Sequence, residues 1–284
     1  MVGSGQMGGG IAQVCATAGF ETITHDLFLT RDKPKVGLGA IRGRLQRQVE
    51  QGRLEESAMD ATIARLSDTT DLQALASCDI VIEAVVERLE DKLNVFRTLD
   101  KACPEHTILA TNTSSISITE IASKTGRPGK VLGLHFFNPP PVMKIVEIVR
   151  GQTTSDETMG IGQTFVEQLG KKAIYAQDRA GFIVNYLLVP YLNDAIRMYE
   201  QGFGSREDID AGMVLGCNHP MGPLTLADFV GLDTVYYIAL VLFEEFKEAR
   251  YAPPPLLKRM VLAGQLGRKT GKGFYEYESS GVSR

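Results

Sequence analysis

This sequence has few side chains of the kinds that form cross-links or hold metals. Its 284 residues include four cysteines, which are widely spaced and form no CxxC pair. This argues against a disulfide framework, and we expect buried small residues or spare thiols instead. The four histidines lie far apart and lack a ligand spacing such as HExxH, so no metal site is expected.

The sequence also lacks a basic excess and any long apolar run. Its net charge is −4, which argues against nucleic acid as a partner. It contains no apolar run of about 18 residues, the length needed to span a membrane. No signal peptide precedes the first motif, so we expect a cytoplasmic protein with no membrane partner. The length favours two domains.

The first half of the chain alternates short apolar runs with amphipathic stretches. This alternation predicts a mostly parallel sheet that is covered by helices on both faces. Helices are expected between the strands, for example at 9–18 and 92–102. The predicted strands are 21–26, 79–86, 107–112, 131–137, 144–149 and 171–176.

The second half has a different, helical pattern. We expect a helical domain that begins near Asp178 and is punctuated by prolines. Its apolar helix at 186–199 suits either a subunit interface or the core of the domain, and the pattern leaves both open. The predicted helices are 182–200, 205–216, 224–246 and 256–264.

A glycine-rich loop opens the chain. Gly3, Gly5 and Gly8 form a GxGxxG pattern directly before a helical stretch, and Asp26 follows 18 residues after Gly8. The dinucleotide-binding fingerprint has an acid at about 20 residues, where it binds the adenosine ribose and repels a 2′-phosphate. We therefore expect NAD; a glycine turn without ligand and a plain turn acid are the alternatives. The loop residues expected to contact NAD are Gly3, Gly5, Gln6, Met7 and Gly8.

These patterns together predict an α/β fold. A Rossmann-type doubly wound sheet that binds NAD is expected in residues 1–178, followed by an all-helical C-terminal domain in 179–284. Only Met1 and Val2 precede Gly3, whereas a central parallel strand of about 5 residues is expected there. The first strand therefore reads as truncated, and we expect the natural chain to begin several residues earlier.

Several longer motifs carry a resemblance to a known family. Over essentially its whole length, the sequence resembles the L-3-hydroxyacyl-CoA dehydrogenase family in its single-function 3-hydroxybutyryl-CoA dehydrogenase form. The motifs that carry this resemblance are AVVERLEDK (84–92), TNTSSISITEIA (111–122), GLHFFNP (133–139), GFIVN (181–185), HPMGPL (219–224) and GRKTGKGFY (267–275).

The resemblance implies a catalytic role for four residues. His135 matches the catalytic histidine, and Glu147 matches the glutamate that pairs with it. Ser114 matches the serine near the substrate oxygen and the nicotinamide, and Asn185 matches an asparagine that completes the site from the second domain. Taken singly, each residue also suits a structural role.

The resemblance also implies further NAD contacts, which are Glu87, Lys92, Ser114, Asn138 and Lys269. Lys269 alone would equally suit a solvated charge in a glycine-rich tail. A basic helical stretch at 40–51, which includes Arg44, corresponds to the region where family members bind coenzyme A. Phosphate contacts and a solvated basic face both remain open for this stretch.

The implied reaction is the NAD-dependent oxidation of (S)-3-hydroxyacyl-CoA to 3-oxoacyl-CoA and its reverse, in fatty acid or butanoate metabolism. A four-carbon acyl-CoA is the expected substrate partner, and a homodimer through the C-terminal domain is implied. Two alternatives stay open: a dehydrogenase of a non-CoA hydroxy acid, and a non-catalytic protein of crystallin type. Tyr186, where arginine is usual, and Pro140, within a triple-proline run, depart from the family pattern.

Overall fold

The computed structural model describes residues 1–26 and 37–277, and the chain divides into two units, Met1–Arg179 and Ala180–Arg284. The first unit contains a largely parallel sheet. β1 pairs with β2, and β3 to β7 lie side by side in chain order. Among these strands, the pairing of β5 with β6 is the one that is antiparallel. The strands are β1 Thr22–His25, β2 Leu66–Thr69, β3 Ile80–Glu83, β4 Ile108–Thr111, β5 Val131–Phe136, β6 Ile145–Arg150 and β7 Lys172–Gln177.

The first three residues join the two groups of strands. Val2 forms parallel bridges to His25 of β1 and to Glu83 of β3. Its N–H donates to the carbonyl of Ile82, and Gly3 N–H donates to the carbonyl of His25, both at 2.8 Å. This short segment therefore makes the pairings that place the glycine-rich loop at the carboxyl edge of the sheet.

Six helices cover this sheet among the described residues of the first unit. Apolar side chains of α1, α2 and α6 pack against the strands, including Ile11, Ile41 and Phe165. The α/β prediction, with a Rossmann-type sheet, is confirmed. The helices are α1 Gln6–Thr17, α2 Gly37–Glu50, α3 Glu56–Ala64, α4 Leu89–Ala102, α5 Ile118–Ala122 and α6 Asp156–Gln168.

The second unit is helical in its described part, as expected. Its core packs α7 against α9, α10 and α11 through Ile196, Leu224, Val235 and Leu257. Ser205 caps α8 by accepting a hydrogen bond from the backbone N–H of Asp208. The helices are α7 Val184–Glu200, α8 Arg206–Cys217, α9 Pro223–Val230, α10 Leu232–Phe246 and α11 Pro255–Leu262.

The single helix predicted over 224–246 is wrong. The helix is interrupted at Gly231, whose φ of +100° lies in a region that glycine tolerates and other residues avoid. The N–H of Leu232 donates to the carbonyl of Leu266 instead of continuing the helical ladder. The apolar pattern runs through the break because both helices bury one face.

Within residues 1–26 and 37–277, no single helix is both long enough and apolar enough to cross a membrane. The pair α9 and α10, bent by 95°, meets that criterion jointly, on length and composition alone.

Candidate active site

The glycine-rich loop has the geometry of a dinucleotide cradle. Gly3 has a φ of +86°, and a Cβ there would lie 2.6 Å from the carbonyl oxygen of Ala84; a Cβ on Gly8 would lie 1.8 Å from the carbonyl oxygen of Gly3. Both glycines are therefore required by the turn itself. Among residues 1–26 and 37–277, a Cβ on Gly5 would meet nothing within 4 Å, and Gly5 itself, as the N-cap of α1, provides no side-chain cap. Backbone donors at this helix end suit a pyrophosphate.

Asp26 lies at the end of β1 against this loop. Its Oδ2 accepts hydrogen bonds from the backbone N–H of Ser4 at 2.8 Å and from Ser4 Oγ at 3.0 Å. The carboxylate is thus held beside the cradle, where it suits ribose hydroxyls and disfavours a 2′-phosphate. The loop and Asp26 together fit NAD.

His135 and Glu147 form a buried pair across the antiparallel strands. They lie directly opposite each other in the register of β5 and β6, and His135 Nδ1 is 2.6 Å from Glu147 Oε2. His135 is 6% exposed and Glu147 is 0% exposed. Because the carboxylate accepts from Nδ1–H, it fixes the tautomer, and Nε2 becomes the nitrogen suited to exchange a proton.

The turn between these strands is held from three sides. Lys171 Nζ donates to the carbonyl oxygens of Pro140 at 2.8 Å and Met143 at 2.6 Å. Asn138 Oδ1 accepts from Gln6 Nε2 at 3.1 Å, which ties the turn to the glycine-rich loop. A Cβ on Gly10 of α1 would lie 2.9 Å from Pro140 Cδ, so Pro140, one of the two departures from the family pattern, packs against α1.

Ser114 lies in a loop after β4 that Glu87 holds from the side. Glu87 Oε1 accepts from the backbone N–H of Ser114 at 3.0 Å, from Ser115 Oγ at 3.1 Å and from Thr113 Oγ1. Burial alone would raise the pKa of Glu87, but the Lys92 ammonium and these hydrogen bonds outweigh it and hold that pKa below its ordinary value. Glu87, Lys92 and Ser114 are therefore brought together.

Two predicted residues belong to the second unit. Asn185 lies in the first turn of α7 and is buried. Lys269 Nζ donates to both carboxylate oxygens of Asp233, at 2.5 and 2.6 Å. The tail that carries Lys269 is anchored by the buried Asp228, which accepts from the backbone N–H groups of Phe274 and Tyr275. Lys269 is therefore part of an ion pair.

Arg44 of α2 does not belong to a solvated basic face. Its Nε donates to Gln13 Oε1 and its Nη2 to the carbonyl of Gly9, each at 3.0 Å. Burial, with the nearby Arg47 adding to it, lowers the pKa of the Arg44 guanidinium. Arg44 therefore ties α2 to α1.

Sequence reasoning missed several polar residues around these side chains. Asn112 Oδ1 accepts from the backbone N–H of Phe136, next to His135. Asp178 accepts from Ser117 Oγ and from the N–H groups of Ile118 and Thr119, so it anchors the far end of the Ser114 loop. Glu83 is fully buried at the end of β3. A carboxylate inside the apolar run IVIEAVV was the available signal, because a buried charge requires partners.

Comparison with known proteins gives matches over nearly the whole chain. Residues 1–179 match the model described as 3-hydroxyacyl-CoA dehydrogenase, NAD binding domain, and residues 181–277 match its C-terminal domain. The chain is 46% identical over 278 residues to the probable 3-hydroxybutyryl-CoA dehydrogenase of Bacillus subtilis, covering 98% of this chain and 96% of that protein.

Solved structures agree with this family. The crystal structure of FadB2 from Mycobacterium tuberculosis matches with a TM-score of 0.94 and 48% identity, covering 97% of each chain. That of (S)-3-hydroxybutyryl-CoA dehydrogenase PaaH1 from Ralstonia eutropha matches with a TM-score of 0.92 and 42% identity, covering 98% of this chain and 97% of that one. With its cradle for NAD and its buried histidine–glutamate pair, the chain belongs to the 3-hydroxyacyl-CoA dehydrogenase family.

Proposed function

We propose that this protein catalyses the NAD-dependent oxidation of (S)-3-hydroxyacyl-CoA to 3-oxoacyl-CoA and the reverse reaction, with 3-hydroxybutyryl-CoA as its substrate. The observation that carries this proposal is the His135–Glu147 pair at 2.6 Å, on the same unit as a glycine-rich loop that suits NAD. The names of the relatives support a short acyl-CoA ester. They favour neither a non-CoA hydroxy acid nor a non-catalytic, crystallin-like role.

In this reaction His135 acts as the general base. Its Nε2 takes the proton of the substrate 3-hydroxyl, and Glu147 stabilises the imidazolium that forms because its carboxylate already accepts from Nδ1. Positioned acid–base catalysis of this kind typically contributes about 10²- to 10⁴-fold in rate. Bound NAD supplies the hydride acceptor. In the reverse direction the protonated His135 returns the proton to the 3-oxo group.

Ser114 and Asn185 complete the proposed catalytic set. The Ser114 hydroxyl donates to the substrate oxygen as charge develops there. Asn185 is assigned the same kind of contact from the second unit, where its amide is buried in the first turn of α7. Both donors act on the atom whose proton His135 handles.

The proposed NAD contacts follow the loop and the residues around Ser114. Backbone N–H groups at the start of α1 hold the pyrophosphate, and the Asp26 carboxylate accepts from the ribose hydroxyls. The proposed set of direct contacts is Gly3, Gly5, Gln6, Met7, Gly8, Asp26, Glu87, Ser114, Asn138 and Lys269. Lys92, which the resemblance places beside them, is buried against Glu83 and Glu87 and is proposed to act through Glu87.

The proposed division of labour follows the chain. Residues 1–178 bind NAD, and 179–284 complete the substrate site and form a homodimer. Support for the dimer comes from large apolar side chains that the helical unit exposes, including Leu187, Phe203 and Leu215. We also propose a cytoplasmic location, because all four cysteines are free thiols, as suits a reducing compartment.

The test is the oxidation of NADH with acetoacetyl-CoA, followed by the loss of NADH absorbance. Free acetoacetate with NADH, and acetoacetyl-CoA with NADPH, serve as parallel reactions. Turnover with the CoA ester and NADH alone is the expected result. Equal turnover with free acetoacetate would favour the non-CoA alternative, and no turnover with any pair would favour the non-catalytic one.

A further inference from the structure

A buried ion pair lies behind the loop that carries Ser114. Glu83, at the end of β3, is 0% exposed, and Lys92, on α4, is 1% exposed. Glu83 Oε1 accepts from Lys92 Nζ and from the backbone N–H of Val85, both at 2.7 Å, and its Oε2 accepts from Thr111 Oγ1 at 2.8 Å. A buried pair of this kind adds little to stability over an apolar pair, so its presence calls for another explanation.

The pair continues toward the active site through a second carboxylate. Lys92 Nζ also lies 3.2 Å from Glu87 Oε2. The other oxygen of Glu87 accepts from the backbone N–H of Ser114 and from the hydroxyls of Thr113 and Ser115. One ammonium therefore lies between two carboxylates, and the outer one is bonded to the Ser114 loop.

We infer that Glu83 is a positioning residue: by holding Lys92 in place, it fixes Glu87, and through Glu87 the backbone of Ser114. Of the two carboxylates beside the buried Lys92 ammonium, only Glu87 would still carry a charge if Glu83 were neutral. Glu87 would then be drawn toward Lys92 and away from the loop. This inference rests on the proposed function, in which Ser114 donates to the substrate oxygen.

The same geometry assigns Lys92 a role through Glu87. Its ammonium is buried and bonded to Glu83 at 2.7 Å, with Glu87 at 3.2 Å. The Lys92 ammonium attracts both carboxylates strongly, because the distances are short and little water screens the charges. Lys92 thus contributes to cofactor and substrate binding by fixing Glu87, in place of the direct NAD contact that the family resemblance implies.

A matched control lies at the other end of the same helix. Asp100 of α4 accepts from Arg127 Nε at 2.8 Å and from the backbone N–H of Gly126 at 2.7 Å, in a largely buried pair. Within the described residues, the other side-chain hydrogen bonds of this pair go to backbone atoms of residues 100–104 and of Gly126, and not to the Ser114 loop. Asp100→Asn therefore breaks an ion pair on α4 and leaves the Glu83–Lys92–Glu87 relay unchanged.

The experiment compares E83Q, K92M, E83Q/K92M and D100N with the unmodified protein. Hydrogen exchange of peptides that cover 111–117 is measured without cofactor or substrate, so it reports the loop itself. Turnover with acetoacetyl-CoA and the dissociation constant of NADH are measured on the same samples. Should E83Q not fold, E83Q/K92M takes its place, since removing both charges is tolerated better than removing one.

We expect E83Q and the double variant to exchange the loop amides about tenfold faster, because local opening becomes easier. Their kcat should fall at least about tenfold, since small misplacements of a reacting group are expensive. E83Q and K92M should be non-additive, with the double variant no slower than the slower single one. D100N should keep loop exchange and kcat near those of the unmodified protein.

Four results would overturn the inference. Two concern loop exchange: no change in E83Q, or an equal loss of protection in D100N. The other two are faster loop exchange in E83Q with undiminished kcat, and weaker NADH binding in K92M with unchanged NADH binding in E83Q. The last would make Lys92 a direct cofactor ligand and Glu83 a structural residue. If the unmodified protein fails to turn over acetoacetyl-CoA, the proposed function fails, while the exchange measurement still decides the positioning.

Discussion

At the scale of single residues, the burial of Glu147 determines how strongly it acts on His135. Glu147 is fully buried, yet its carboxylate meets the His135 imidazole at 2.6 Å. A carboxylate in that environment stabilises a positive partner strongly, because little water screens the interaction. In the proposed mechanism, this carboxylate prepares the imidazole for the charge that it gains when it accepts a proton.

Replacing His135 by glutamine should abolish this proton transfer. We expect turnover with acetoacetyl-CoA to fall by about 10²- to 10⁴-fold, while NADH still binds. The measurement is steady-state turnover together with NADH titration by fluorescence.

His106→Gln is the matched control, because His106 is an exposed histidine of the same unit, 3.9 Å from Asp79. Its turnover should match that of the unmodified protein. Near-normal rates in the His135 variant would remove this residue from the mechanism.

At the scale of elements, the break between α9 and α10 depends on one glycine. Gly231 has a φ of +100°, and a Cβ there would lie 3.1 Å from Asp233 Oδ1 and 3.2 Å from Lys269 Nζ. The glycine therefore permits both the turn and the close approach of the Asp233–Lys269 ion pair.

Gly231→Ala should lower the free energy of unfolding by about 1 kcal/mol or more, because alanine is strained at this φ. Urea unfolding measures the change. Gly212→Ala is the matched control: Gly212 is exposed inside α8, and a Cβ there would meet nothing within 4 Å in the part of the chain that the structure describes.

The control should instead raise the free energy of unfolding by about 0.5–1 kcal/mol, since alanine is the better helix former. Effects of the same sign at both positions would contradict the account of the break.

Elements with a strong apolar pattern were predictable from the sequence, and those without one were not. The strands with apolar runs were found because buried parallel strands are apolar on both faces. β2, with the sequence LSDT, was missed because Leu66 is its single buried residue. The break at Gly231 was missed because apolar periodicity does not report a local change in φ.

At the scale of the whole molecule, the sequence motifs predicted which residues to consider but not how they are joined. His135 and Glu147 are 12 positions apart in the sequence. Their pairing could be anticipated because it requires only that the strand carrying Glu147 returns beside the strand carrying His135. The Glu83–Lys92–Glu87 relay reaches a loop nearly 30 positions away. Its partners depend on strand order and side-chain direction, which the motifs do not encode.

The homodimer is the prediction at this scale. The unmodified protein should have about twice the chain mass of 31.0 kDa in solution. Leu187→Lys should lower the dimer fraction, because Leu187 is 68% exposed on α7 and a charge there opposes apolar association. Sedimentation or light scattering measures the mass.

Val142→Lys is the control, since Val142 is equally exposed, at 69%, in the first unit. It should leave the mass unchanged. A monomeric unmodified protein, or equal dissociation in both variants, would contradict a dimer formed through the helical unit.

The cross-strand placement of His135 and Glu147 has a consequence for evolvability. Their distance is set by the β5–β6 ladder, in which the two residues are direct partners, and not by the turn that connects the strands. The side chains of residues 140–143 can therefore diversify, as the triple proline illustrates, while the register preserves the proposed proton-transferring pair. Selection can therefore change the side chains of this turn without separating the two paired residues.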